Sequence, residues 1–415
     1  MYGLNGQQAK QFNKAFLLKI IATQGPISRI KLSELTQLSK MTISNLVSEY
    51  IAEGIVFERG IEEASTGRKP ILLDVVPDSL LTLGVYISRD YVQAGIVDLK
   101  GATLRSERIH LSVTETETSF MRKLFMLTDS VVKDEIRQKL WGIGISSIGP
   151  LNVHDGLILN PPNFHNIRNL SIIAPLSERY NLPAYLENDM NVSALAEMYF
   201  GNGQTTDNFV YVGVTSGVGA GIVINRKLYN GNKGFGGEIG HTTVCIDGNL
   251  CGCGNRGCLE TYASVPAALE WASEEFKKQG LVMPEHSWLW LVDSAAEGNE
   301  ICRAALKRMC RHLAAALVTV VNLFDPECIF IGGDIGFTAD TTIPYLNEYV
   351  ERFKFSPSDC IVPVFASKFP GNATFVGTAA LVLERNLEYN KQSLNISIPI
   401  SSVYSKSSNR PIPYE

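Results

Sequence analysis

Apolar and polar positions along residues 1–75 predict three helices followed by a hairpin. The first helix spans residues 10–24, and Gly25-Pro26 ends it. Ser28 and Ser39 are suited to cap two further helices, and Gly54 closes the third. Strands follow at Ile55–Phe57 and at Ile71–Leu73, on either side of a polar loop. This order of elements predicts a winged helix-turn-helix.

From residue 76 to residue 388, strand and helix patterns alternate. We predict strands over residues 81–87, 91–98, 141–148, 184–187, 209–214 and 328–331. Helices are predicted over residues 119–139, 189–200, 263–279, 286–297, 299–323 and 371–385. The alternation in two successive halves predicts a two-lobed α/β domain with a cleft between the lobes. Residues 389–415, rich in Ser, Asn and Pro, form a C-terminal tail.

Composition and charge narrow the function classes. Apolar residues make up 45% of the 415 residues, and the net charge is −5. Residues 1–70 carry nine Lys and Arg against six Asp and Glu, so a basic head of +3 precedes an acidic body of −8. No apolar run spans a bilayer and no signal peptide is recognised, so we expect a cytoplasmic protein with no membrane partner.

The first turns of the third helix are the candidate DNA-contacting surface. In a helix-turn-helix, this helix lies in the major groove of double-stranded DNA with its N-terminal residues facing the bases. Those residues here are Ser39, Lys40, Met41, Thr42, Ser44 and Asn45. Arg68, beside a glycine at the hairpin tip, suits insertion into a narrow minor groove. The alternative is a helical protein-interaction module with a solvated basic loop.

Three cysteines within eight residues, together with one histidine, predict a metal site. His241, Cys251, Cys253 and Cys258 supply one imidazole and three thiols. This is a closed tetrahedral set, suited to structural zinc with no open position for water. The intervening glycines allow the backbone to turn around an ion. The alternative is three structural thiols beside a core histidine.

Amide and carboxylate side chains near strand ends form a candidate sugar site. Sugar hydroxyls pair with such groups, and the candidates are Asn163, Asn188, Asp189, Glu238, His241 and Glu260. A carboxylate such as Asp189 can also deprotonate a sugar hydroxyl during phosphoryl transfer. The alternative for Asp189 is a helix cap.

The segments Gly237–His241 and Cys251–Glu260 together resemble the zinc and sugar signature of the ROK family, which comprises repressors and kinases. The resemblance extends over residues 10–385, and Thr66–Pro70 resembles the hairpin of its repressor branch. It implies a sugar-kinase-like fold of the actin-like ATPase, ribonuclease H-like type. It also implies that the four candidate ligands hold zinc, that the six candidate sugar residues line one site, and that His241 serves both. Ile167 departs from the tryptophan that many relatives have there.

The first phosphate loop departs further from the kinase members. Their loop has an Asp-x-Gly-Gly-Thr turn, whereas this chain has Tyr86-Ile87-Ser88-Arg89-Asp90. Without the two glycines the backbone cannot approach phosphate as closely. We therefore expect a non-enzymatic, DNA-binding transcriptional repressor of carbohydrate genes that responds to a sugar or phosphosugar, with Asp189 a sugar ligand and not a working base. We expect it to form a homodimer or a dimer of dimers. The alternatives are an ATP-dependent sugar kinase with a DNA-binding head and an interaction scaffold.

Overall fold

A computed structural model describes residues 6–61, 70–112, 114–161, 164–165, 167–357 and 359–392. Arg68 and Asn163, two of the predicted site residues, lie outside these ranges. Within the described residues, four clusters of buried apolar side chains organise the chain. None of the helices described is long and apolar enough to span a membrane.

The N-terminal unit consists of three helices and a three-stranded antiparallel sheet. Its elements are α1 (Gly6–Gln24), β1 (Ile27–Ser28), α2 (Arg29–Thr36), α3 (Lys40–Ala52), β2 (Val56–Ile61) and β3 (Ile71–Val75). The strand order is β1-β3-β2. Both predicted caps are present, since Ser28 Oγ accepts from the Lys31 amide at 3.2 Å and Ser39 Oγ accepts from the Thr42 amide at 3.1 Å.

The first lobe is built on a five-stranded sheet of order β11-β7-β4-β5-β6. Its elements are β4 (Leu81–Ile87), β5 (Tyr91–Val97), β6 (Thr103–His110), α4 (Glu117–Val131), α5 (Asp134–Arg137), β7 (Leu140–Ser147), β8 (Leu151–Asn152), β9 (Leu157–Ile158), β10 (Leu170–Ser171), α6 (Ile173–Tyr180), β11 (Ala184–Asn188) and α7 (Asp189–Phe200). The single helix predicted over residues 119–139 is two helices. The chain becomes extended at Val132, although neither glycine nor proline marks the break.

The second lobe has a sheet of order β14-β13-β12-β15-β16. Its elements are β12 (Phe209–Val214), β13 (Val218–Ile224), β14 (Lys227–Leu228), α8 (Glu260–Ala263), α9 (Val265–Lys278), α10 (Trp288–Ala296), α11 (Glu300–Phe324), β15 (Cys328–Gly333), α12 (Ala339–Phe353), β16 (Val364–Ala366) and α13 (Ala373–Gln392). Helix α13 continues seven residues beyond the end predicted from the sequence.

Helices α7 and α13 lie between the two sheets and join the lobes. Their buried side chains form one apolar cluster with Val97 of the first sheet and with Phe209 and Phe330 of the second. Helix α13 also contacts the N-terminal unit, where Lys19 Nζ and Glu384 Oε2 form an ion pair of 2.7 Å. The same helix therefore touches the N-terminal unit and packs between both lobes.

Candidate functional site

A cleft of about 410 Å³ is lined by residues of both lobes. Five of the six predicted sugar-site residues line it, namely Asn188, Asp189, Glu238, His241 and Glu260. The sixth, Asn163, lies outside the described residues. Arg89, Asn160 and Ser216 also line the cleft, although the sequence analysis did not place them there.

Asn188 and Asp189 reach the cleft because β11 ends there and α7 begins. The Met190 amide donates to Asn188 Oδ1 and to Asp189 Oδ1, in both cases at 2.9 Å, so the junction is also a helix cap. Burial raises the pKa of Asp189 to about 7, and repulsion by Glu238 adds to the shift. Near neutral pH, this carboxyl group therefore exchanges between a donor and an acceptor of hydrogen bonds.

The segment Gly237–His241 brings Glu238 and His241 to the cleft by lying directly on strand β13. The Ala220 amide donates to the Gly237 carbonyl at 2.9 Å. A Cβ atom at Gly237 would lie 2.0 Å from the Ala220 carbonyl oxygen, and one at Gly240 would lie 2.0 Å from that of Val218. Only glycine allows this approach at both positions, which explains the glycine spacing of the motif.

Glu260 and Arg89 face each other across the lobe boundary near Gly217. Glu260 Oε2 accepts a hydrogen bond from the Val218 amide at 3.1 Å. A Cβ atom at Gly217 would lie 2.7 Å from Glu260 Oε2 and 3.6 Å from Arg89 Nη1. The positive charge of Arg89 also favours the ionised form of Asp189, so it lowers the pKa of that carboxyl group against the effect of burial. Arg89 thus places one cation among the carboxylates of the cleft.

His241, Cys251, Cys253 and Cys258 come together beside the cleft. Their candidate ligand atoms all lie within 4.8 Å of one another. Cys251 Sγ lies 3.6 Å from His241 Nδ1, and Cys253 Sγ lies 3.7 Å from Cys258 Sγ. In a tetrahedral site with zinc–sulfur distances of about 2.3 Å, sulfur atoms are separated by about 3.8 Å. The four residues therefore fit a metal ion, and exposed Cys245 lies outside this group.

A second cavity, of about 260 Å³, adjoins the cleft at Tyr86, Ser88 and Ser216. Burial raises the pKa of Tyr86 well above its ordinary value, so this phenol stays neutral. Its ring packs edge-on against Tyr91, with 5.6 Å between centroids. Asp90 and Asp334 also line the cavity, together with the cation Arg108.

The predicted DNA-contacting residues of α3 lie on one side of the N-terminal unit. Ser39, Lys40, Met41, Ser44 and Asn45 are exposed, and Thr42 is half-buried. The opposite side of the helix is buried through Ile43, Leu46, Val47 and Tyr50. Met41 is 74% exposed, although apolar side chains of this size are usually covered. The hairpin tip with Arg68 falls in the segment 62–69, outside the described residues.

Comparison with known proteins identifies relatives across the chain. The family model described as "ROK family" matches residues 82–385. The xylose repressor of Caldicellulosiruptor bescii is 32% identical over 390 residues, which cover 92% of this chain and 97% of that protein.

Two solved structures share the fold. The crystal structure of a ROK family transcriptional regulator, a homologue of the Escherichia coli Mlc protein, matches with a TM-score of 0.74 and 27% identity, over 95% of this chain and all of that one. A ROK family glucokinase from Streptomyces griseus, solved with glucose and AMPPNP, matches with a TM-score of 0.63 and 26% identity. That match covers 98% of the glucokinase but 72% of this chain.

Proposed function

The chain belongs to the ROK family, and on this premise we propose that it is a DNA-binding transcriptional repressor that responds to a sugar. The observation that carries the proposal is the extent of the matches. The xylose repressor and the ROK family transcriptional regulator align over more than nine-tenths of the chain, whereas the glucokinase aligns over 72%. The additional length in this chain accommodates the N-terminal unit.

Residues 1–75 are proposed to form a winged helix-turn-helix and residues 76–388 the ligand-binding domain. The tail predicted over residues 389–415 begins inside α13, which continues to Gln392. Helix α3 then enters the major groove of operator DNA with Lys40, Thr42, Ser44 and Asn45 at its leading end. Asn45 suits adenine, since its side-chain amide offers a donor and an acceptor together. The strands β2 and β3 form the wing, and Arg68 at its tip reaches the minor groove.

The cleft is proposed to bind a small sugar or phosphosugar through Asn188, Asp189, Glu238, His241 and Glu260, with Asn163 as a further ligand. Carboxylates and amides supply paired acceptors and donors to adjacent hydroxyl groups. Because the cleft is lined by both lobes, a bound sugar bridges them. Closure then shifts α13, which lies between the lobes and touches the N-terminal unit. DNA affinity and sugar affinity are reciprocally coupled by this arrangement.

Structural zinc is proposed for His241, Cys251, Cys253 and Cys258. Bound there, the ion would cross-link the loop that follows Gly237–His241 and would supply no chemistry of its own, because four protein ligands complete a tetrahedral shell. His241 belongs to both the cleft and the ligand group. The loop therefore orients this imidazole toward the sugar.

No catalytic residue is proposed. Tyr86 stands where kinase members have an acidic residue, and Asp90 places a carboxylate in the cavity adjoining the sugar cleft, together with the cation Arg108. The carboxylate of Asp90 opposes the negative charge of a nucleoside triphosphate. The second candidate function is a sugar kinase, because the ROK family glucokinase solved with AMPPNP shares the fold. Phosphorylation of a hexose or pentose at about 1 s⁻¹ or faster would establish that candidate instead.

Fluorescence anisotropy of the full chain on DNA from upstream of its own gene tests the proposal, at fixed salt and with a panel of sugars. We expect specific binding that one sugar weakens at least tenfold. Asn45→Ala and Arg68→Ala should each weaken operator binding by about tenfold or more, with sugar affinity unchanged.

Affinity for the upstream DNA that is no greater than for random DNA would overturn the regulator proposal. Unchanged DNA affinity in Arg68→Ala would overturn only the proposal that the wing contacts DNA through this residue. A homodimer is expected because helix-turn-helix proteins read paired half-sites, and sedimentation of the free protein checks it.

A further inference from the structure

A groove of about 640 Å³ lies on the second lobe and shares no lining residue with the sugar cleft. Six of the residues that line it come from the long helix α11, and the basic or titratable ones are Lys307, Arg308, Arg311 and His312. Trp271 of α9 and Tyr349 of α12 contribute aromatic surface to the same groove. We refer to it as the α11 groove.

The charge of the α11 groove is locally uncompensated. Residues 301–324 of the helix contain four Lys or Arg and no acidic residue, in a chain of net charge −5. Over the part of the chain that the structure describes, no ion pair within 4 Å joins Lys307, Arg308 or Arg311 to a carboxylate, whereas Arg303 on the same helix pairs with Glu300. On a helix, side chains three or four positions apart are neighbours, so the cations of Lys307 and Arg308 each repel that of Arg311. An anionic ligand relieves that repulsion.

Aromatic rings hold two of these groups in place. The guanidinium of Arg308 lies 5.3 Å from the ring centroid of Tyr262 and 5.8 Å from that of Trp271. The ring of His312 stacks on Tyr262 with 4.7 Å between centroids and 15° between planes. These contacts fix part of the cationic rim before any ligand arrives, which lowers the entropy cost of binding.

We propose that the α11 groove docks an acidic protein segment that carries aromatic or aliphatic side chains between its carboxylates. The rim of Lys307, Arg308 and Arg311 pairs with the carboxylates. Trp271 and Tyr349 pack against the apolar side chains of the segment. Inorganic phosphate and a DNA backbone have no such side chains. This partner is distinct from the operator DNA and the sugar of the proposed function.

Helix α8 connects the groove to the sugar cleft. Tyr262, on which His312 stacks, belongs to α8, and that helix begins at Glu260 of the cleft. The Tyr262 hydroxyl accepts a hydrogen bond from the Asn249 amide at 2.9 Å, within the loop that carries the candidate metal ligands. A docked segment therefore contacts side chains that rest on the same short helix as a sugar-cleft residue.

The test measures binding of fluorescein-labelled peptides to the full chain by fluorescence anisotropy, at 50 mM and 150 mM salt. The probe contains three Glu-Glu-Phe repeats. Peptides of Lys-Lys-Phe repeats and Glu-Glu-Ser repeats test the charge and the apolar side chain separately. Lys307→Glu/Arg311→Glu reverses two exposed charges of the groove. Lys277→Glu/Lys278→Glu makes the same change on exposed residues of α9 outside the groove.

We expect the Glu-Glu-Phe peptide to bind, and the groove variant to lose at least tenfold in affinity while the control variant stays within twofold. Both variants should retain operator affinity and thermal midpoint, so that a loss is not one of folding. Equal binding by the groove variant and the wild type would overturn the proposal. So would equal binding of Glu-Glu-Ser, which would indicate a plain anion site. No peptide binding together with a groove variant of lower oligomeric mass would also overturn it and would assign the groove to a second copy of this chain.

Discussion

At the scale of the residue, burial and close approach decide what each polar group in the cleft does. Asp189 is 8% exposed, and burial raises the pKa of its carboxyl group to about 7 because it disfavours the charged form. Gly237 and Gly240 act through the absence of a side chain, which lets Glu238 and His241 reach the cleft. The chemistry of the cleft thus depends on its surroundings as much as on residue type.

The raised pKa of Asp189 predicts a pH dependence of stability. Between about pH 4 and pH 7 the folded state binds more protons at this residue than the unfolded state, so the free energy of unfolding falls as pH rises through that window. The shift corresponds to about 4 kcal/mol at most. Urea unfolding of wild type and Asp189→Asn at pH 5.0, 6.0 and 7.5 measures it.

In that experiment, the advantage of wild type over Asp189→Asn should shrink as pH rises, because Asn cannot titrate and other groups cancel in the difference. A difference that stays constant across the three pH values would show that Asp189 has an ordinary pKa.

The ligand group predicts that Cys253→Ser loses zinc and destabilises the second lobe. A serine hydroxyl is a poor replacement for a thiolate, and the loss of a structural ion costs several kcal/mol, on the order of 10 °C in thermal midpoint. Elemental analysis and calorimetry of the purified variant measure the two effects. The matched control is Cys245→Ser, an exposed thiol of the same loop outside the ligand group. Full zinc content in Cys253→Ser would remove that residue from the ligand set.

At the scale of the element, glycines in the first sheet allow α13 to pack closely against it. A Cβ atom at Gly144 of β7 would lie 2.2 Å from the Thr378 carbonyl oxygen, and one at Gly84 of β4 would lie 2.4 Å from Thr378 Oγ1. Helix and sheet therefore meet backbone to backbone at Thr378. Side chains of ordinary size at these positions would displace the helix that joins the lobes.

Gly144→Ala should accordingly destabilise the protein by about 1–3 kcal/mol, through overpacking against backbone that cannot move aside. Gly252→Ala is the control, since a Cβ atom there meets nothing within 4 Å. Chemical denaturation of both variants with zinc present provides the comparison. Equal stabilities would mean that α13 has room to shift away from β7.

At the scale of the whole molecule, the N-terminal unit contacts both helices that pack between the lobes. Lys19 of α1 pairs with Glu384 of α13, and its ammonium lies 4.6 Å from the ring centroid of Tyr199 on α7. Gln204 Nε2 also donates to the Thr23 carbonyl oxygen at 3.0 Å. The N-terminal unit is therefore attached to the two helices that pack between the lobes.

Lys19→Met is expected to weaken the communication between sugar and DNA while leaving each binding site intact. Sugar affinity of the free protein should stay within about twofold. The factor by which sugar weakens operator binding should fall at least threefold, because a partly buried ion pair of about 1 kcal/mol no longer ties α1 to α13. Titrations of operator DNA with and without saturating sugar measure the factor.

The control for Lys19→Met is Lys10→Met, which removes the ion pair with Glu49 inside the N-terminal unit. An unchanged coupling factor in Lys19→Met would show that the signal travels by another contact.

Local patterns in the sequence were sufficient for several features of the molecule. The caps Ser28 and Ser39 are confirmed, since capping depends on a hydrogen bond three residues away. The grouping of the histidine and three cysteines is also confirmed, because the thiols lie within eight residues and the motif glycines allow the chain to turn. Strand β6 was not predicted, because at this edge of the sheet most of its side chains are exposed and no alternation appears.

Features that join distant segments were decided by the tertiary structure alone. Arg89 enters the cleft from the turn between β4 and β5, and the α11 groove forms only when α9, α11 and α12 pack together. The attachment of the N-terminal unit joins residues 365 positions apart. The sequence by itself determined helix caps and short-range ligand spacing, because those depend on neighbouring residues. Which side chains meet across lobes depends on topology, and no local pattern encodes it.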